Sequence, residues 1–146
     1  MHVSRKEHRK KVDDALMAIT VPFLRRNGFR GVFPDFRRHQ PDRINLLTIQ
    51  HSLDDTKFTV EIANCAPDGI ITSWGEDIPP TKCTALDVEM RYRLGSLKHK
   101  KDYSLDYDQS QYTENIYLKR ASEILDLWDE AEQWWKENSF SKEALS

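Results

Sequence analysis

The sequence predicts an α+β fold, an antiparallel sheet of about four strands with the N-terminal and C-terminal helices packed on one face. Three observations carry that prediction. Apolar residues recur at helical spacing near both ends of the chain, apolar and polar residues alternate in the segments between, and the last strand-like segment is apolar on one side only. A parallel sheet covered by helices on both faces would need strands apolar on both sides. The 146 residues suit a single domain over 1–146, since domains commonly run about 100 to 150 residues.

A helix is expected over 5–26, where Val12, Leu16, Ile19 and Phe23 recur at spacings of 4, 3 and 4 on one face. "NG" at 27 and 28 ends it, because Gly28 can take the left-handed conformation of a helix C-cap. Pro22 lacks the donor that the ladder needs there, which kinks or shortens the last turn. In "FRGVFPDFRRH" the spacing of Phe29, Phe33 and Phe36 is too irregular for a long strand and predicts a short edge strand broken at Pro34.

"RINLLTIQHSLDDTKFTVEIANC", residues 43–65, reads as a hairpin. Ile44, Leu46 and Thr48 point to one face, Asn45, Leu47 and Ile49 to the other, and Phe58, Val60 and Ile62 alternate with Thr59, Glu61 and Ala63 after the turn. One face of the second strand is therefore wet or lies beneath a loop. Gln50 and His51 end the first strand at the turn, and Cys65 ends its neighbour.

The segment 65–83, "CAPDGIITSWGEDIPPTKC", is dense in Pro, Gly and Asp and shows no period. An unstructured stretch of that length in a compact domain is expected to be a lid, a binding loop or an insertion. "LDVEMRYRL" then places Leu86, Val88, Met90, Tyr92 and Leu94 on one side and Asp87, Glu89, Arg91 and Arg93 on the other, predicting a half-buried strand. A last helix over about 112–138 follows from Tyr117, Ala121, Ile124, Trp128, Ala131 and Trp135, with Leu118, Leu125, Leu127 and Trp134 widening the stripe. Thr113 is its expected N-cap and Glu114 suits the positive end of the dipole.

The net charge of −2 hides an uneven layout: residues 1–43 carry 11 Lys/Arg against 5 Asp/Glu, and residues 102–137 carry 3 against 10. Such halves mark partner surfaces or neutralise each other on folding. Cys65 and Cys83 are read as reduced thiols in a cytoplasmic protein. "ALMAITVPFL" (15–24) is bounded by "DD" and "RR" and is far short of the roughly 20 apolar residues of a membrane span, so no membrane association is expected.

Five pieces in a fixed order, "FLRRNGF", "FRRH", "INLLTIQHS", "FTVEIANC" and "RYRLG", resemble an uncharacterised bacterial domain-of-unknown-function family, number 4304 of that series, over about residues 8–138. Gly28, Phe29, Phe36, Arg37, Gln50, Phe58, Val60, Arg93, Leu94 and Gly95 lie in the matching pieces. The resemblance implies a small α+β domain, no established activity, and the company of toxin-immunity-type genes. "SWGEDIPP" in the middle loop departs from the family's pattern.

Several chemistries lack their residues. A Cys–His nucleophile would need Cys65 beside His51, yet a hairpin sets them roughly 20 Å or more apart by strand rise. His2, His8, His39, His51 and His99 are scattered at no metal-ligand spacing, with His39 and His51 read as exposed, and no phosphate-binding glycine motif occurs. Neither a metal nor another cofactor is expected. Nucleic acid is the alternative partner, through Arg25, Arg26, Arg30, Arg37, Arg38 and Arg43 around the three phenylalanines, which could hold phosphate and stack bases.

Partner binding is the favoured reading. Asp102, Asp106 and Asp108 interleave with Tyr103 and Tyr107 ahead of a helix carrying Asp126, Asp129 and Glu130. Carboxylates among tyrosines suit recognition of a basic protein, as a toxin-neutralising partner would require. A second candidate surface, for a small ligand under the loop 65–83, joins Gln50 and Trp74 to the row Asp87, Glu89, Arg91 and Arg93. The expectation is thus a non-enzymatic domain.

Overall fold

The computed structural model describes residues 4–108 and 115–140. Helix α1 (Arg5–Ala15) starts at Ser4, whose hydroxyl accepts from the Glu7 N–H at 3.2 Å. A π turn, Leu16–Thr20, joins it to α2 (Val21–Arg26). The π turn ends two residues before Pro22, so the missing N–H falls in the first turn of α2 and the helical path continues to Arg26. Gly28, at φ +89, turns the chain into the sheet.

Strands β1 (Arg30–Val32), β2 (Asp35–His39), β3 (Ile44–His51) and β4 (Lys57–Cys65) form an antiparallel meander. The single edge strand expected across Pro34 is two strands, with the cis Phe33–Pro34 bond at the corner and β2 lying between β1 and β3. After the small hairpin β5 (Ile70–Ile71) and β6 (Asp77–Ile78), β7 (Arg91–Arg93) pairs with Glu61–Ala63 of β4. A four-residue helix, α3 (Ser96–His99), follows, and β8 (Leu105–Asp106) pairs with the start of β4.

The strand expected over 86–94 is mostly not a strand. Residues Ala85–Asp87 form a 3-10 turn, and only Arg91–Arg93 joins the sheet. The turn re-aims the chain, so Val88 packs on one side of the sheet and Leu94 on the other, while Leu86 and Met90 stay exposed. The C-terminal helix is likewise two: α4 (Ile116–Asp126) and α5 (Trp128–Glu137) meet at Leu127, whose backbone (φ −93, ψ 4) leaves the helical well. Asn115 caps α4 by accepting from the Leu118 N–H at 3.2 Å; the expected cap, Thr113, and Glu114 lie outside the described residues.

All the long helices cover one face. Val12, Leu16, Leu24, Ile124, Trp128 and Trp135 pack with Phe36, Leu47, Ile49, Phe58, Val60 and Ile62. Trp135, buried, donates its indole N–H to the Leu46 and Ala63 carbonyls at 3.3 and 3.1 Å, which pins α5 to the centre of β3 and β4. The opposite face is the one that alternation placed beneath a loop. Ile44, Leu46, Ala63 and Cys65 are covered there by Ile70, Cys83, Ala85 and Val88. Among the described residues no helix is long and apolar enough to cross a membrane.

Candidate functional site

The acidic C-terminal surface survives only in part. Tyr107 is fully buried, with its hydroxyl 2.9 Å from His51 Nδ1, and burial pushes its phenol well up from the ordinary value. It cannot touch a partner, a correction to the sequence reading that follows from its place behind β8 in the main core. Tyr103 is half-buried, its ring stacked on His99 at a centroid distance of 3.9 Å and its hydroxyl bonded to Glu123.

Glu130 is also turned inward. Its carboxylate accepts from the Gly95 and Lys98 N–H groups at 2.5 and 3.0 Å and from the Tyr92 hydroxyl at 3.0 Å, so it caps α3 rather than facing outward. Asp106 is half-buried and accepts from the Asp108 N–H at 2.8 Å. Asp102, Asp108, Asp126 and Asp129 are exposed. Asp102 follows the exposed run Lys98, His99, Lys100 and Lys101, which offsets its field, whereas no Lys or Arg stands between Arg120 and Lys136, the stretch that carries Asp126 and Asp129.

The second candidate surface divides into three places. Arg93 Nε lies 3.2 Å and Arg91 Nε 4.0 Å from Glu61 Oε1, and Glu61 is 2% exposed. The other oxygen, Oε2, is buried without a hydrogen-bond partner among the described residues. Register continues the row across the sheet as Asp35, Thr48, Glu61 and Arg93, with the Thr48 hydroxyl donating to Asp35 at 2.8 Å.

Asp87 is spent in a capping box, accepting from the Thr84 N–H at 2.9 Å, and Glu89 is exposed. Gln50 lines an open groove of about 550 Å³ with Arg9, Asp35, Thr48, His51 and Asp55. Trp74 stands at the tip of the β5–β6 hairpin. The space beneath the loop 65–83 is filled by Ile70 and Cys83, so the expected small-ligand site under it is core instead.

The arginine cluster is largely engaged in holding the fold. Arg38 grips Glu132 with two guanidinium nitrogens at 2.9 and 2.5 Å, donates to Asn45 at 2.9 Å, and lies over the Phe29 and Trp135 rings. Arg37 donates to the Cys83 carbonyl at 2.8 Å, and Arg43 to the Trp135 and Asn138 carbonyls at 2.9 Å each. Arg25 and Arg30 reach nearby carbonyls, and with Arg26 they are exposed. Phe29 and Phe36 are buried, which removes them as the base-stacking partners of the nucleic-acid reading.

His51, expected on the surface, has a side chain only 4% exposed. Its Nε2 lies 2.8 Å from Asp13 Oδ1 while Nδ1 meets Tyr107, so one ring ties α1, β3 and the segment after β8 together. Alternation carried the missed signal, since His51 shares the face of Leu47 and Ile49. Cys65 pairs with Ile44 at the far end of the hairpin from His51 and Phe58, so the separation expected between His51 and Cys65 holds.

Both cysteines are free and buried; the Cys83 thiol donates to the Ile78 and Pro79 carbonyls at 3.5 and 3.3 Å, and the neighbouring Cys83 together with burial pushes the Cys65 thiol well up. No cluster of three His, Cys, Asp or Glu side chains suited to a metal occurs among the described residues. A family model described as "Domain of unknown function (DUF4304)" matches residues 20–138. No curated protein and no solved structure matches the chain.

Proposed function

We propose, on the premise that the chain belongs to the DUF4304 family, that it is a non-enzymatic domain of the bacterial cytoplasm that binds a basic protein and occludes it, as an immunity-type partner does. One observation carries the reading. Three of the four glutamates of α4 and α5 are engaged by the fold, Glu123 by Tyr103 and Arg120, Glu130 by α3 and Glu132 by Arg38, while Asp126 and Asp129 face solvent at the junction of the two helices and Glu137 is exposed at the end of α5. Outward carboxylates on a rigid helical corner steer a cationic partner and fix its orientation. Asp102, Asp108 and the half-buried Asp106 and Tyr103 extend that surface along the neighbouring segment.

The test is capture. Immobilised protein is exposed to bacterial lysate at low and high salt, beside the double variant Asp126→Lys, Asp129→Lys. Basic proteins released by salt and lost from the variant are expected. Equal capture by the variant would falsify the acidic corner, and recovery of nucleic acid alone would move the reading to Arg25, Arg26 and Arg30.

A further inference from the structure

Trp74 is 75% exposed, although an indole is a side chain that removes about 150–250 Å² from water when buried. It occupies the turn between β5 and β6, in the stretch that departs from the family pattern, and Ile71 on β5 is 69% exposed. The turn is tightly built. The Thr72 N–H donates to the Glu76 carbonyl at 2.9 Å, the Glu76 N–H donates to the Thr72 hydroxyl at 2.9 Å, and the Gly75 N–H donates to the Thr72 carbonyl at 2.9 Å.

Thr72 itself is buried, and Ile70 and Ile78 root the hairpin in the second core. The indole N–H donates to Glu76 Oε2 at 3.0 Å, which orients the ring before anything binds it. Residues 66–78 also hold three carboxylates, Asp68, Glu76 and Asp77, all exposed, and no cationic side chain.

We propose that the β5–β6 hairpin is a docking finger: Trp74, flanked by Ile71, enters an apolar socket on a partner protein, and Asp68, Glu76 and Asp77 meet a Lys/Arg rim around that socket. Tryptophan dominates binding energy where it fills a desolvated pocket, and a ring already held in place loses little freedom on docking. The charge of the turn selects a cationic rim and repels an acidic one. The inference rests on the reading of the chain as a protein-binding domain, but it uses a different surface from the helical corner.

The test pans a displayed random-peptide library over the protein and measures the selected peptides by fluorescence anisotropy. Peptides joining a large apolar residue to Lys or Arg are expected, bound about tenfold or more weakly by Trp74→Ala. Trp74→Phe should restore part of that loss, Glu76→Lys with Asp77→Lys should weaken binding, and Asp126→Lys with Asp129→Lys should leave it unchanged. A thermal unfolding midpoint for Trp74→Ala close to that of the unsubstituted protein shows that the fold is intact. Peptides without cationic residues, peptides held equally by Trp74→Ala, or no selected peptide would each overturn the finger. Loss in the helix-corner variant alone would overturn it while leaving the acidic corner standing.

Discussion

Arg38 reaches from β2 to α5 with a side chain only 13% exposed, and its two bonds to Glu132 join strand to helix beside the Trp135 ring. Arg38→Ala removes charge-assisted hydrogen bonds and leaves the Asn45 oxygen and the Asn27 carbonyl short of a donor. It should cost about 2 kcal/mol, read as a lower urea midpoint. The same bonds hold the Glu132 carboxyl below its ordinary value of 4.5, against the opposing effect of partial burial. A depressed folded pKa stabilises the fold above the unfolded value, and that contribution is lost as pH falls through the folded one. The gap between the original protein and Arg38→Ala should therefore hold steady above about pH 4.5 and narrow as pH falls below it, and a constant gap would assign the cost to packing alone. At this scale the alternation of β3 held the face of His51, yet the residue was read as exposed, and Asp13 and Tyr107 were not legible, because nothing local marks two distant side chains as partners of one ring.

Among the elements, α3 depends on a single backbone position. Gly95 stands at φ +101, and a Cβ built there would lie 2.3 Å from Tyr103 Cδ2, while its N–H is held by Glu130. Gly95→Ala should destabilise by about 3 kcal/mol, combining left-handed strain with a ring that must move, and a calorimetric melting temperature checks it. The β3–β4 hairpin was legible because eight paired positions keep one alternation through the turn. The stretch 86–94 shows the limit of that signal. Its period of two is intact in sequence, yet the Val88 N–H bonds back to the Ala85 carbonyl and the Arg91 N–H to Glu89, and these turns consume the register before β7 begins. The break at Leu127 had no marker, since neither Gly nor Pro stands there and the apolar stripe runs on through both helices.

Across the whole molecule the sheet is a wall with a core on each side, the helices on one and the segment from Ile70 to Val88 on the other. Amides near Leu46, Leu47, Ile62 and Ala63 should exchange slowest, and those of the β5–β6 turn far sooner, in hydrogen–deuterium exchange followed by mass spectrometry; equal protection would contradict a central position for β3 and β4. The charge division between the chain's two ends was legible. Its use was not, because folding lays Arg38 and Arg43 of the basic part against α5 and spends their donors there.

The strand order ends on β1 and β7, each three residues long and each bearing arginine. A second copy laid antiparallel on β7 and centred on Tyr92 would set Arg91 of one chain against Arg93 of the other, a like-charge meeting with few backbone bonds to offset it. Edge-to-edge pairing of two copies through β7 is thus disfavoured by its shortness and by its own charge.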